Sequence, residues 1–170
     1  MLSKLYALFF SEVESRRVHL AGVTRHPTNS RVRQQTRNLP IALGERAARF
    51  RFLIRDRDTT FTAAFDTVFT NDNITIVRTP VRTPVANAFA ERRVGTVRRE
   101  CLDHLLILGE RHTTAVLTDY VDHYNQHRPH RSLQQQAPLS TGTDPPPEPG
   151  TSTVRHDRLG GLIHEYRQTA

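Results

Sequence analysis

The chain has 170 residues, 36% of them hydrophobic, and a formal charge of +7 from 24 basic against 17 acidic side chains. This length supports one domain with a core plus a tail, and excludes two domains of ordinary size. A single cysteine, Cys101, excludes an intramolecular disulfide and a cysteine-based zinc finger. The apolar run Leu5 to Phe10 is too short for a signal sequence or a membrane span and is followed at once by Glu12 and Glu14, so a buried strand and a cytoplasmic location are expected. Of the 24 basic residues, 23 are arginine, whose planar, always-charged fork suits phosphate. A basic, arginine-rich surface favours a nucleic-acid partner over an acidic small molecule, although a GC-rich genome gives the same bias.

Leu5 to Val13 and Arg17 to Val23 are β-rich runs joined by Glu14-Ser15-Arg16, a pattern that predicts an antiparallel hairpin. His26-Pro27-Thr28-Asn29-Ser30 is a helix start, with Thr28, Asn29 or Ser30 able to cap. The helix that follows turns Val32, Thr36, Leu39 and Leu43 to one side and Arg31, Arg33 and Arg37 away, the latter a solvated face, and Pro40 is expected to bend or interrupt it.

Phe50 to Ile54 reads as a short central strand, with Asp56 just past its last apolar residue. Catalytic groups of open α/β sheets gather at strand carboxyl ends, so Asp56 suits a metal ligand. Asp58, two residues on, points the same way on an extended chain, and either aspartate also serves simply to end the strand or cap the next helix. That helix, Phe61 to Phe69, places Phe61, Phe65, Val68 and Phe69 on a packing face. Asn71-Asp72-Asn73 is a turn and Ile74 to Val77 the next strand.

Thr83-Pro84 opens a basic helix in which Ala90, Val94, Val97, Cys101 and Leu105 recur at helical spacing and are expected to bury. Asn87, Glu91 and Arg98 lie on an adjoining stripe beside Arg92, Arg93 and Arg99, and a glutamate in such a setting is also an ordinary partner for arginine. Asp56 and Glu91, separated by 34 residues, would give two carboxylates to a hard divalent ion. A further helix, Thr113 to Gln126, packs through Val116, Leu117, Tyr120, Val121 and Tyr124. His123 and His127 stand at i and i+4, but no further spaced pair completes a tetrahedral metal set. Residues 134–153 are a Pro-rich linker, and 154–170 a basic tail with the makings of a small strand pair.

Arg55-Asp56-Arg57-Asp58-Thr59-Thr60-Phe61, then Thr79-Pro80, Pro84, Asn87 and Glu91, then Tyr124-Asn125-Gln126-His127-Arg128-Pro129-His130, occur in an order and spacing that resemble the catalytic core of integrase-type DDE transposases, in the ribonuclease H-like superfamily of insertion-sequence transposases and retroviral integrases. The resemblance runs from Leu5 to Leu133, which makes 1–133 the expected core, and extends to the tail after Val154. It implies an α/β fold, a ribonuclease H-like mixed sheet flanked by helices, and DNA integration or transposition with two Mg²⁺ or Mn²⁺ ions about 3.5–4 Å apart. It assigns Asp56 and Glu91 as catalytic metal ligands, and Asn87, Arg92, Arg93, Arg98 and Arg99 as DNA contacts. The partners it implies are transposon-end and target DNA, a second copy or an intact transposase, and no membrane, with nucleoid association when bound to DNA.

The family's first Asp lies on the first strand, and no aspartate precedes Asp56. The expectation is therefore a core lacking that strand, with an exposed sheet edge and little or no strand transfer by this chain alone. The alternative is a non-catalytic remnant that binds DNA or pairs with intact transposase. A nuclease acting on hybrid duplex is a weaker third reading.

Overall fold

The computed structural model describes residues 4–80, 84–140 and 152–169. Packing divides the chain into two units, Met1–Phe9 with Ala21–Arg98 and Phe10–Leu20 with Arg99–Ala170. The predicted hairpin forms from β1 (Tyr6–Ser11) and β2 (Val18–Thr24), which pair with each other. Its turn closes with the Glu12 N–H donating to the Arg17 carbonyl at 2.9 Å, helped by a positive φ of 62° at Arg16.

In the first unit, α1 (Asn29–Leu43) starts where Thr28, in extended backbone, accepts the Arg31 N–H on its hydroxyl at 3.4 Å. Val32, Thr36 and Leu39 bury, as their spacing predicts. The helix runs through Pro40 rather than stopping there, and ends at Gly44, whose φ of 55° turns the chain and whose N–H donates to the Pro40 carbonyl. Proline at this point withholds one N–H from the Thr36 carbonyl, and only one turn of helix lies beyond it. At Gly22 a Cβ would stand 2.1 Å from Gln35 Nε2, so a side chain there would require the Gln35 side chain to move aside.

The strands β3 (Phe52–Arg55) and β4 (Thr75–Arg78) are parallel, pairing Phe52 with Thr75 and Arg55 with Arg78. Between them α2 (Ala63–Thr70) buries Phe65 and Phe69, with Phe61 and Phe65 ring centroids 4.8 Å apart. The apolar side of β3 is a departure from the expected buried central strand, because Phe52 is 62% and Ile54 55% exposed. The cause is alternation: Arg55 is turned to α2, so Phe52 and Ile54, one residue out of phase, point the other way. Among the described residues, hydrogen-bonded strands occur in three separate pairs.

In the second unit, α4 (Glu110–Gln126) buries Val116, Leu117, Tyr120 and Tyr124, and Cys101 is fully covered. Burial pushes the Cys101 thiol up to about 11, which makes it an inert core residue at neutral pH. Asn125 clamps β2 from within: its Oδ1 accepts the Val18 N–H at 2.9 Å and its Nδ2 donates to the Val18 carbonyl at 2.8 Å. Glu100 accepts from Tyr120 Oη at 2.7 Å and from Arg128 Nε at 2.9 Å, and Arg128 lies 5.3 Å over the Tyr124 ring. The His130 ring meets the same tyrosine edge-on at 4.7 Å.

The tail forms a strand pair, β5 (Ser152–Arg158) antiparallel to β6 (Ile163–Thr169), turned by Leu159, Gly160 and Gly161 at positive φ. The Asp144 to Gly150 stretch of the predicted linker lies outside the described residues. Arg158 on β5 reaches Asp119 at 2.7 Å and Asp122 at 3.0 Å on α4. Glu165 on β6, with its side chain 1% exposed, meets His123 at 3.0 Å, His127 at 3.4 Å, His156 at 3.8 Å and Arg158 and Arg167 besides. The spaced histidines of α4 thus serve a buried carboxylate. Burial works against the Glu165 charge, but the His123 hydrogen bond with His127 and Arg158 outweighs it and holds the carboxyl below its usual range. Burial, together with the nearby arginines, holds His127 below its usual value despite Glu165.

Two outcomes follow from this packing. Asn125→Ala leaves a buried N–H and carbonyl of Val18 without partners, and urea unfolding is expected to show a loss of about 3 kcal/mol; a loss under about 1 kcal/mol would show that water replaces the clamp. The folded chain binds a proton at His127 less readily than the unfolded chain, so stability is expected to fall as pH drops below about 6.5. It falls further as pH passes down through the lowered Glu165 value. Melting temperatures between pH 8 and pH 4 check this, and a midpoint that rises on acidification would contradict it.

Candidate active site

Asp56 follows β3 directly, at the carboxyl end of the parallel pair, and three hydrogen bonds hold the backbone at and around it. Arg55 Nη1 donates to the Asp56 carbonyl at 2.8 Å. The Thr79 N–H donates to the Arg55 carbonyl at 2.9 Å, and Arg57 Nε donates to the Thr79 carbonyl at 3.0 Å. The loops leaving β3 and β4 are thereby tied to each other on either side of Asp56. Its side chain is half-buried and its Oδ1 accepts the Asp58 N–H at 3.1 Å.

Arg55 is the residue on which this arrangement turns, and the sequence alone gave no role to its partner Asp66. The Arg55 side chain is 7% exposed, and its Nε and Nη2 each donate to Asp66 on α2 at 2.8 Å, a two-pronged pair joined by Arg78 at 2.8 Å. The Arg55 hydrogen bond, which outweighs burial, and then Arg78 hold the Asp66 carboxyl below its usual range. An Asp eleven residues after the Arg that ends a strand, in the first turn of a helix, was the available signal; nothing in hydrophobic spacing marks it.

Asp58 resolves differently from Asp56. Its Oδ1 accepts the Thr60 N–H at 2.8 Å, and that hydrogen bonding keeps the carboxyl below its ordinary value. Asp58 therefore shapes the turn into α2, while the helix itself begins after Thr62.

Glu91 lies on α3 (Pro84–Glu100) and is exposed, as are Arg92, Arg98 and Arg99, with Arg93 half-buried. Asn87 is on the same helix, and its side chain lies outside the described residues. Val97 buries as expected, whereas Ala90 and Val94 are open to solvent, so the apolar stripe of α3 is covered only toward its end. No hydrogen bond or ion pair joins Asp56 to Glu91 among the described residues, and no group of three or more His, Cys, Asp or Glu there is arranged to hold a metal. The carboxylate oxygens present are of the hard kind that suits Mg²⁺ or Mn²⁺. One hard ion completed by water and phosphate oxygens takes a pair of carboxylates, and among the described residues no contact brings Asp56 and Glu91 together as such a pair.

Residues 72–138 match the family model described as integrase core domain. This segment is similar to the integrase core. It contains Glu91, the arginines of α3 and the Tyr124–His130 motif, while Asp56 lies ahead of it. No curated protein matches by sequence. A chain in the cryo-electron microscopy structure of the simian T-cell lymphotropic virus intasome in complex with the PP2A regulatory subunit B56 gamma is similar in fold, with a TM-score of 0.61 and 12% identity over 98% of this chain and 65% of that one. The protein thus spans less than two thirds of that chain's length, and the shared architecture is a mixed α/β fold, consistent with the ribonuclease H-like class. Integrase cores generally use divalent metal ions. In this chain the Tyr124–His130 motif is structural: it supplies the Asn125 clamp and the Arg128 bond to Glu100, and Tyr124 packs against His130. Among the described residues no helix is long and apolar enough to cross a membrane.

Asp66→Ala leaves Arg55 charged and nearly buried, and an expected loss of about 3 kcal/mol in chemical unfolding follows from breaking such a pair on one side. A change within about 0.5 kcal/mol would mean that Arg55 finds water instead.

Proposed function

We propose that this chain acts on DNA as part of an integrase-type transposition or integration machinery, with Asp56 and Glu91 as its metal-binding carboxylates. The observation that carries this reading is Asp56 pinned at the carboxyl ends of β3 and β4, upstream of an integrase core whose helix α3 bears Glu91 among exposed arginines. A divalent ion bound there would polarise a phosphate and activate a water or a DNA 3′-hydroxyl for attack. The chain's own residues hold the phosphates and the geometry. Arg92, Arg93, Arg98 and Arg99 supply positive charge along α3, and Arg55 and Arg57 fix the backbone on both sides of Asp56 so that its carboxylate need not search for position.

The third carboxylate of the family set has no counterpart among the described residues. Two carboxylates do not neutralise two closely spaced divalent ions, so on this reading Asp56 and Glu91 by themselves support little strand transfer and the arginines act chiefly in holding DNA. Its partners are transposon-end and target DNA and a copy of an intact transposase.

Two assays separate the parts of this reading. Binding to duplex DNA, followed by fluorescence anisotropy, is expected to weaken steeply between 50 and 200 mM salt, and binding indifferent to salt would remove the arginine account. Joining of a labelled 3′-hydroxyl end to target DNA with Mg²⁺ or Mn²⁺ is expected to stay at background. Joining that is robust and is abolished by Asp56→Asn would overturn the incompleteness argument while confirming Asp56.

A further inference from the structure

The positive charge is not shared evenly. The first unit carries 15 basic against 6 acidic residues, while the second carries 9 against 11. A chain whose arginines merely followed base composition would not sort them this way between two units of similar size.

Within the first unit the excess has a focus away from α3. The helix α1 holds Arg31, Arg33 and Arg37 and has no acidic residue anywhere along it. Ser30, Arg33, Gln34, Arg37 and Asn38 recur at i, i+3, i+4, i+7 and i+8, and all are exposed. They form one outward stripe, opposite Val32, Thr36 and Leu39, which are buried. Every side chain of that stripe carries a hydrogen-bond donor, and Gln34 Nε2 already lies 3.4 Å from Asn38 Oδ1 in line along it. Arg33 and Arg37 sit at i and i+4, where like charges destabilise an isolated helix. A solvated face normally mixes both signs; this one carries only positive charge and neutral amides and hydroxyls.

We propose that the outward stripe of α1 is a second contact for the sugar-phosphate backbone of duplex DNA, separate from the arginines of α3. The proposal rests on the DNA-binding reading above and extends it to a surface outside the matched integrase segment. The chemistry fits phosphate: two guanidinium forks one helical turn apart, flanked by amide and hydroxyl donors that position without reading bases. Contacts of this kind are insensitive to sequence and sensitive to salt.

The test compares the full chain with Arg33→Gln/Arg37→Gln and with Arg92→Gln/Arg99→Gln, each titrated with a duplex of random sequence over a range of salt. Losing two phosphate contacts is expected to lower the slope of log K against log salt by about 1.8, with affinity down roughly tenfold near 0.1 M salt. All four positions are exposed, and unchanged circular dichroism and melting confirm folding. Gln34→Glu, which leaves both arginines in place but adds a charge that repels phosphate, is expected to weaken binding in the same direction.

If the α1 variants bind as the parent does while the α3 variant is weakened, α1 is a solvated face and the proposal falls with the DNA reading intact. If the parent chain shows no salt-dependent binding, both fall. Vesicles with 30% phosphatidylserine and a poly-glutamate peptide serve as other anions. An α1 effect confined to either of these, with DNA affinity unchanged, assigns the stripe to a different partner and overturns the proposal.

Discussion

The ion pair between Arg55 and Asp66 is the constraint on which the first unit depends. A guanidinium so nearly buried is tolerable only with a carboxylate in bidentate reach, and α2 supplies one from its first turn. Because Arg55 must face α2, the alternation of β3 is set, and Phe52 and Ile54 are left on the opposite side. The same guanidinium reaches back to the carbonyl of Asp56. One charged side chain therefore fixes the strand's orientation, docks a helix and steadies the backbone at Asp56.

The second unit uses polar groups in a comparable way for a different end. Asn125 and Glu100 are hubs: one satisfies both backbone groups of Val18, and the other collects Tyr120 and Arg128. Burial opposes the Glu100 charge, yet the Arg128 and Tyr120 hydrogen bonds hold its carboxyl below the usual range. Around Glu165 three histidines and two arginines converge between α4 and the β5–β6 pair. These contacts hold the closing motif and the terminal strands in place, and their value lies in specifying one arrangement, since a desolvated charge adds little net stability.

Charge and fold divide the work between the two units. The first gathers most of the arginines, Asp56 and Glu91 and, on α1 and most of α3, two helices with basic exposed faces. The second is close to neutral and is held by internal ion pairs. A polyanionic partner would be drawn to the first unit by long-range attraction that salt screens.

Much of this was legible in the residues. Helical spacing identified the inward faces of α1, α2 and α4 and the core position of Cys101, because these follow from local geometry and from apolar burial, and the cap of α1 was narrowed to Thr28, Asn29 or Ser30. Motif order pointed to the integrase core that residues 72–138 match, and the position of Asp56 after a strand placed it at a strand end. What the sequence could not decide was which groups meet across the fold. Asp66, Asn125, Glu100 and Glu165 look like surface residues until their partners arrive from as far as 107 residues away. The exposure of Ile54 and Val94 was equally hidden, since an apolar residue reads as buried until the layer that would cover it is known. Periodicity is a property of the local backbone and can be read along the chain; polar partnership and the covering of a face are properties of three-dimensional neighbours, and only the tertiary structure sets them.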